Sequence, residues 1–195
     1  MFVDGTYRLS LDIRQVTDLG VKIGNEYSDD EMQCLEQEGQ FGKLYSRTLE
    51  YVLMRPRSQQ ELRMYLRRKM QQTRSRTGVL KGGYTEALTD RVRERIMQRG
   101  YVDDEVFARY WMENRNQRKG TSMRKLSAEL RAKGVDGAII ARLQGETERN
   151  DKEEIQKIIA KKARRYPDEQ KLMQYLARQG FSFDDIKEAL ENMQD

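Results

Sequence analysis

The sequence predicts an all-α protein, an elongated array of three tandem three-helix repeat modules behind a small N-terminal β-hairpin-like extension. Three observations carry this expectation. Of 195 residues only 37% are hydrophobic and 35% are charged, so a single large spherical core lacks the apolar surface it needs, and thin helical layers fit better. Proline occurs twice, while Glu, Gln, Lys, Arg, Leu and Met, which lose little freedom in a helix, are abundant. The chain also repeats itself. Ser58–Met70, Ser122–Gly134 and Asp168–Gly180 align without gaps, each with leucines four apart: Leu62 and Leu66, Leu126 and Leu130, Leu172 and Leu176. That spacing stacks both leucines on one helical face.

Residues 1–41 differ from the rest. Tyr7 to Ile13 alternates polar and apolar residues, the period of a half-buried strand, and a second short strand is expected between Leu19 and Ile23. Phe2-Val3-Asp4-Gly5 looks like the middle of a strand region. Ser28-Asp29-Asp30-Glu31 reads as the start of a short helix, an N-cap followed three residues later by a carboxylate.

Module 1 is expected over 42–102, module 2 over 103–150 and module 3 over 151–195. In each, a longer amphipathic helix comes first, at about 43–54, 103–117 and 151–165. The leucine-bearing segment is second, and Gly134 and Gly180 stand where a left-handed residue closes such a helix. A third helix follows, marked by Val92 and Ile96, Ile139 and Leu143, Ile186 and Leu190. From Leu66 to Val92 is 26 residues, against nine from Leu130 to Ile139 and ten from Leu176 to Ile186. Module 1 therefore carries an insertion within 71–88, basic, aperiodic and glycine-containing, which reads as a mobile exposed loop.

The chemistry excluded is broad. There is no histidine and one cysteine, Cys34, so His-based catalysis, Cys/His zinc sites and internal disulfides are ruled out. No glycine-rich phosphate loop occurs. Asp103-Asp104 and Asp184-Asp185 sit at helix starts, where capping accounts for them. Val106, Phe107, Tyr110 and Trp111 share one helical stripe and are assigned to core packing. No enzyme activity, cofactor or metal is expected. The lone cysteine, the lack of a long apolar run and the lack of a signal-like N-terminus point to a cytoplasmic protein.

Charge is unevenly placed. Residues 1–41 hold three basic and nine acidic groups, a net −6, and the remainder holds +11, of which residues 42–81 carry +9. Such asymmetry suits a polyanion or an acidic protein surface.

Several strings, in order from about residue 2 to 192, resemble the RecX family of RecA-regulating proteins. They are Arg55-Pro56-Arg57-Ser58-Gln59-Gln60-Glu61-Leu62-Arg63, Gly100-Tyr101-Val102-Asp103-Asp104 with Phe107-Ala108, Lys119-Gly120 followed by Leu126 to Val135, and Leu176-Ala177-Arg178-Gln179-Gly180-Phe181 with Ile186. Two departures stand out. The family's Gly-Pro after Lys-Gly is replaced around Ser122-Met123, and Gln179 stands where arginine is common. The resemblance implies three three-helix modules in a curved, elongated molecule, monomeric, without a membrane. It also implies lodging in the groove of a RecA filament, inhibition of strand exchange and ATP hydrolysis, and in some members direct contact with single- or double-stranded DNA.

With Leu62 and Leu66 inward, Arg63 and Arg67 fall beside and outside the core stripe and Arg68 further round. Arg131 matches Arg67 in module 2, Arg124 lies a heptad earlier, and Ala177 takes the place in module 3. With Arg115, Arg118 and Lys119, and with Arg74 and Arg76 of the insertion, these residues form the candidate partner-binding surface for an acidic groove or for phosphates. Two other readings stand beside it: a stand-alone nucleic-acid-binding helical module, and a helical-repeat scaffold for some other protein.

Overall fold

The computed structural model describes residues 1–74, 80–147, 149–162, 165–166 and 168–192. Of Arg74 it gives only the backbone. Side-chain positions are likewise not described for Thr73, Leu80, Lys81 and residues 116–119. The elements in chain order are β1 (Phe2–Val3), β2 (Thr6–Tyr7), α1 (Ile13–Asp18), α2 (Asp29–Leu53), α3 (Gln59–Met70), β3 (Thr73–Arg74), β4 (Leu80–Lys81), α4 (Glu86–Gln98), α5 (Asp104–Lys119), α6 (Met123–Ala132), α7 (Gly137–Glu146), α8 (Asp151–Lys162), α9 (Glu169–Arg178) and α10 (Phe183–Glu191). The fold is all-α, and among the described residues the strands form two two-stranded antiparallel sheets.

The chain divides into two compact units. The first holds Met1–Arg57 and Glu61–Val102, and the second holds Ser58–Gln60 and Asp103–Asp195.

In the first unit the N-terminal segment departs from expectation. Alternation from Tyr7 to Ile13 predicted one strand, yet only Thr6–Tyr7 is extended, paired with Phe2–Val3 across a two-residue turn. Asp4 and Gly5, expected mid-strand, both have positive φ (48° and 75°), which that tight hairpin turn demands. Ile13 instead opens α1, because Asp12 accepts from Gln15 N while Gln15 reaches back to Asp12 N. This reciprocal capping satisfies two orphan donors and outweighs a short alternation. No strand forms between Leu19 and Ile23.

The same capping geometry, Ser28 with Glu31, starts α2, as the sequence predicts. The helix is not short. It runs 25 residues, straight through the expected boundary at 41/42 and merging the two helices expected there. The N-terminal segment crosses α2 at Gly39, where a Cβ would lie 2.9 Å from Ser10 O. Gln15 Nε2 donates to O of the adjoining Glu38 at 2.6 Å. Leu9, Met32 and Leu35 are buried in this crossing. The main core of the unit joins Leu44 and Val52 of α2, Leu62 and Leu66 of α3, and Val92 and Ile96 of α4.

The insertion is not wholly irregular. Thr73 pairs with Lys81 and Arg74 with Leu80. A two-pair ladder is too short to leave a period in the sequence, so the loop reading missed it. The tip, 75–79, lies outside the described residues, and α4 already begins at Glu86.

In the second unit α5–α7 enclose Phe107, Leu130, Val135, Ile140 and Leu143, with Trp111 packed against them. Val106, assigned to the same stripe, is instead exposed. Helices α8–α10 enclose Ile155, Ile158, Ile159, Leu172, Leu176, Phe181, Ile186 and Leu190. All six repeat leucines are buried. Gly134 and Gly180 close their helices with φ of 79° and 92°.

A junction recurs within this unit. Asp104, in the first turn of α5, accepts from Gln59 N at 2.8 Å, and Asp151, in the first turn of α8, accepts from Met123 N at 3.0 Å. Each carboxylate thus caps the N-terminus of the preceding leucine-bearing helix. Gly134 abuts Gln60 as Gly180 abuts Ser122 and Lys125. Here Ser122 N also donates to Gln179 O at 3.1 Å.

Candidate functional site

The turn between α2 and α3 explains why its residues occur together. Glu61 holds Arg55 at 2.9 Å, and Arg57 reaches the same carboxylate at 3.8 Å. Arg57 Nε also donates to Tyr51 O, and its guanidinium lies 4.0 Å from the Tyr51 ring centroid. These arginines of the sequence motif therefore lock the turn.

The arginines further along α3 behave differently. Leu62 and Leu66 point inward, and Arg63, Arg67 and Arg68 are exposed. Among the described residues none of the three has a carboxylate within salt-bridge reach. Arg68 Nε makes a long contact to Met64 O at 3.4 Å. Arg67 and Arg68, with Lys69, occupy the last turn of the helix, where cations complement the negative end of the helix dipole.

On α6 of the second unit Arg124 and Arg131 are exposed and likewise have no carboxylate within reach among the described residues. They are two turns apart, roughly 10 Å, beside the buried Leu126 and Leu130. Arg115 is employed otherwise. Its guanidinium bonds both oxygens of Glu129 at 3.0 and 3.1 Å, and Trp111 Nε1 donates to the same carboxylate at 3.0 Å. It clamps α5 to α6. Arg118 and Lys119 close α5, but their side chains lie outside the described residues, as do the side chain of Arg74 and the whole of Arg76.

Reading α3 alone missed a second basic feature of the first unit. A concavity of about 730 Å³ lies between α2 and α3, lined by Lys43 and Arg47 on α2, Arg68 and Lys69 on α3, Tyr51 and Tyr65 between them, and Gly83–Tyr84. Lys43 and Arg47 are four residues apart on one face of α2. This like-charge pair was the signal available in the sequence. The rings of Tyr51 and Tyr65 stack at 4.1 Å and 9°, with Arg57 over one outer face and Lys69 4.9 Å from the centroid of Tyr65. The Tyr65 hydroxyl donates to Arg47 O at 3.1 Å, and burial pushes this phenol above its ordinary pKa. Tyr84 N donates to Lys69 O at 3.1 Å, which pins the far wall to the end of α3.

Exposed Cys34 lies on α2 away from these groups. Among the described residues no group of three or more acidic, cysteine or histidine side chains is placed to hold a metal ion. No helix among them is long and apolar enough to cross a membrane.

Comparison with known proteins agrees with this architecture. The family description "RecX, second three-helix domain" matches residues 103–142, and "RecX, third three-helix domain" matches 150–190. The protein named Regulatory protein RecX from Amycolatopsis mediterranei is 31% identical over 167 residues, covering 80% of this chain and 88% of that one. Its namesake from Mycobacterium ulcerans is 37% identical over 110 residues, 52% of this chain and 64% of that protein. A crystal structure of regulatory protein RecX superposes with a TM-score of 0.66 over 97% of this chain and 92% of that one, at 20% identity. The structure of RecX from Lactobacillus salivarius gives 0.57 over 79% of this chain and 96% of that one. The fold is thus shared with solved RecX structures, and the similarity to a relative along most of both sequences shows that this chain belongs to the RecX family.

Proposed function

We propose that this chain is a cytoplasmic, monomeric, non-enzymatic regulator that binds a RecA–DNA filament, inhibits its strand exchange and ATP hydrolysis, and so tempers recombinational repair and the SOS response. Membership of a family named for regulation supports the general reading. The observation that carries the binding surface is the matched pair Arg67 and Arg131. Each is exposed beside a buried leucine of a repeated helix, with no carboxylate in reach among the described residues. Unpaired arginines at equivalent positions present fork-shaped donors to carboxylates or phosphates of a periodic partner. Arg63 and Arg68 join Arg67 on the first unit and Arg124 joins Arg131 on the second; Arg74, Arg76, Arg118 and Lys119 are assigned to partner binding from the sequence. Arg115 contributes through the clamp it makes with Glu129.

The test is the triple variant R67E/R124E/R131E. Three reversals change the local charge by six, which turns attraction at a docking face into repulsion. Inhibition of RecA ATPase on single-stranded DNA is expected to disappear, with helicity and melting temperature nearly unchanged, because exposed arginines contribute little stability. Inhibition retained in a folded triple variant would place the docking face elsewhere. Inhibition retained with loss of DNA affinity would favour the second reading, a stand-alone nucleic-acid-binding module, which the +11 of residues 42–195 supports.

A further inference from the structure

Among the described charged residues, only cations line the concavity between α2 and α3. Four cations line it, Lys43, Arg47, Arg68 and Lys69, and no acidic side chain does. Among the described residues none of the four forms a salt bridge. Several other arginines of the unit are neutralised: Arg55 and Arg57 by Glu61, Arg91 by Glu38 and Arg93 by Asp90. Four like charges brought into one hollow repel each other, and an anionic ligand relieves that repulsion.

The hollow is also built rather than draped. Lys43 and Arg47 project from consecutive turns of a 25-residue helix, roughly 6 Å apart along its axis. The Tyr51–Tyr65 stack forms the floor. Its outer ring faces are taken by Arg57 and Lys69, so it offers no open ring for base stacking and instead fixes the positions of cations. Gly83 passes so close to Met70 O that a Cβ there would overlap it, which holds the Gly82–Tyr84 wall against α3. Gln40 and Gln71 complete the lining with neutral hydrogen-bonding groups.

We propose that this hollow is a binding site for a short run of consecutive phosphates, distinct from Arg63 and Arg67 of α3 and from Arg124 and Arg131 of α6, with Arg68 the one outward arginine of those helices that also lines it. The chemistry recognised is a phosphate chain, which a single nucleic-acid strand or a free nucleoside triphosphate can supply. A volume of about 730 Å³ falls in the range of small-ligand sites. It accepts a few linked phosphates and is too small to engulf a duplex. Binding here is measured without RecA, so this proposal stands or falls apart from the docking reading.

The experiment uses the full chain and two probes, a fluorescein-labelled oligothymidylate followed by anisotropy and ATP followed by calorimetry. K43E/R47E alters two exposed residues on the solvent side of α2 and is expected to retain the helicity of the unaltered protein. K43Q/R47Q, which removes charge without reversing it, guards against a folding defect. The unaltered chain is expected to bind at least one probe. Its affinity should fall at least tenfold in K43E/R47E, and less in K43Q/R47Q. If the strand is the ligand, the neutral variant should also lower the slope of log affinity against log salt by about 1.4, from two lost phosphate contacts. R63E/R67E should change affinity less than twofold. Competition identifies the source: ATP displacing the oligonucleotide marks a shared phosphate site, and failure to displace it assigns the site to the strand. Binding of neither probe overturns the proposal. So does binding that both α2 variants leave intact, duplex DNA binding as well as the single strand, or an equal loss in R63E/R67E.

Discussion

Leu130 is fully buried among Phe107, Val135, Ile140 and Leu143, and truncating it leaves a cavity between α6 and its neighbours α5 and α7. L130A is expected to lose about 2–5 kcal/mol in urea unfolding. A loss within about half a kcal/mol, the range of ordinary surface substitutions, would mean that the α6 face is misassigned. Glu105 is a different kind of residue. Its side chain is half-buried and held by two arginines, with Arg142 at 3.0 Å through Nη1 and Arg109 at 3.0 Å. Hydrogen bonds first from Arg142 and then from Arg109 lower its pKa from 4.5 to about 2. Because the folded value is depressed, its contribution to stability is present above pH 4.5 and is lost as pH falls towards 2. E105Q should therefore flatten the acid limb of the melting-temperature profile between those values and leave the profile above pH 5 parallel to that of the unaltered protein. An unchanged acid limb would show that the arginine cluster does not act on folding. Of the candidate site residues, Arg63, Arg67, Arg68, Arg124 and Arg131 were legible as outward because leucine spacing fixes helix phase. That Arg115 spends its guanidinium on Glu129 was not, because the partner is 14 residues away on another helix.

At the scale of elements, Gly180 carries two constraints at once. It has φ of 92° and lies against Ser122 Oγ and Lys125 Cβ. A side chain there pays roughly 1–2 kcal/mol for the left-handed backbone and in addition crowds the α6 N-terminus. G180A is expected to lose more stability than G100A, which has φ of 70° but nothing within 4 Å of its added Cβ; equal losses in thermal unfolding would exclude the packing contribution. The insertion makes another element-scale prediction. A ladder of two pairs is marginal by itself, and the segment is basic and glycine-containing. Limited trypsin digestion is expected to cut first within 71–83. Earlier cutting within α5–α10 would contradict that. The failed strand from Tyr7 to Ile13 has the same origin as the missed ladder. Short alternation is a weak local signal, and the Asp12–Gln15 capping box or a distant pairing partner decides the outcome.

At the scale of the molecule, the acidic and the basic stretches of the chain fall in the same compact unit. The −6 of residues 1–41 and the +9 of residues 42–81 meet within the first unit, where Arg91 bridges to Glu38 on the acidic half of α2 at 2.5 Å. Binding to a polyanionic partner should weaken steadily as salt rises, since exposed charges are screened within about 8 Å at physiological ionic strength. Affinity independent of salt from 50 to 300 mM would point to an apolar interface instead. The sequence by itself determined the helical class, the three leucine-bearing helices, their glycine stops and the outward phase of the arginines beside them. All of these follow from periods and caps that act within about a turn or two. The tertiary structure decided which arginines remain unpaired, the uninterrupted course of α2 through residue 41, the carboxylate caps that Asp104 and Asp151 lend to Gln59 and Met123, and the gathering of Lys43, Arg47, Arg68 and Lys69 around one hollow. The caps and the hollow join residues remote in sequence, the unpaired arginines are those that no remote carboxylate reaches among the described residues, and α2 packs along its length on distant segments; such contacts depend on packing distance, which no local pattern encodes.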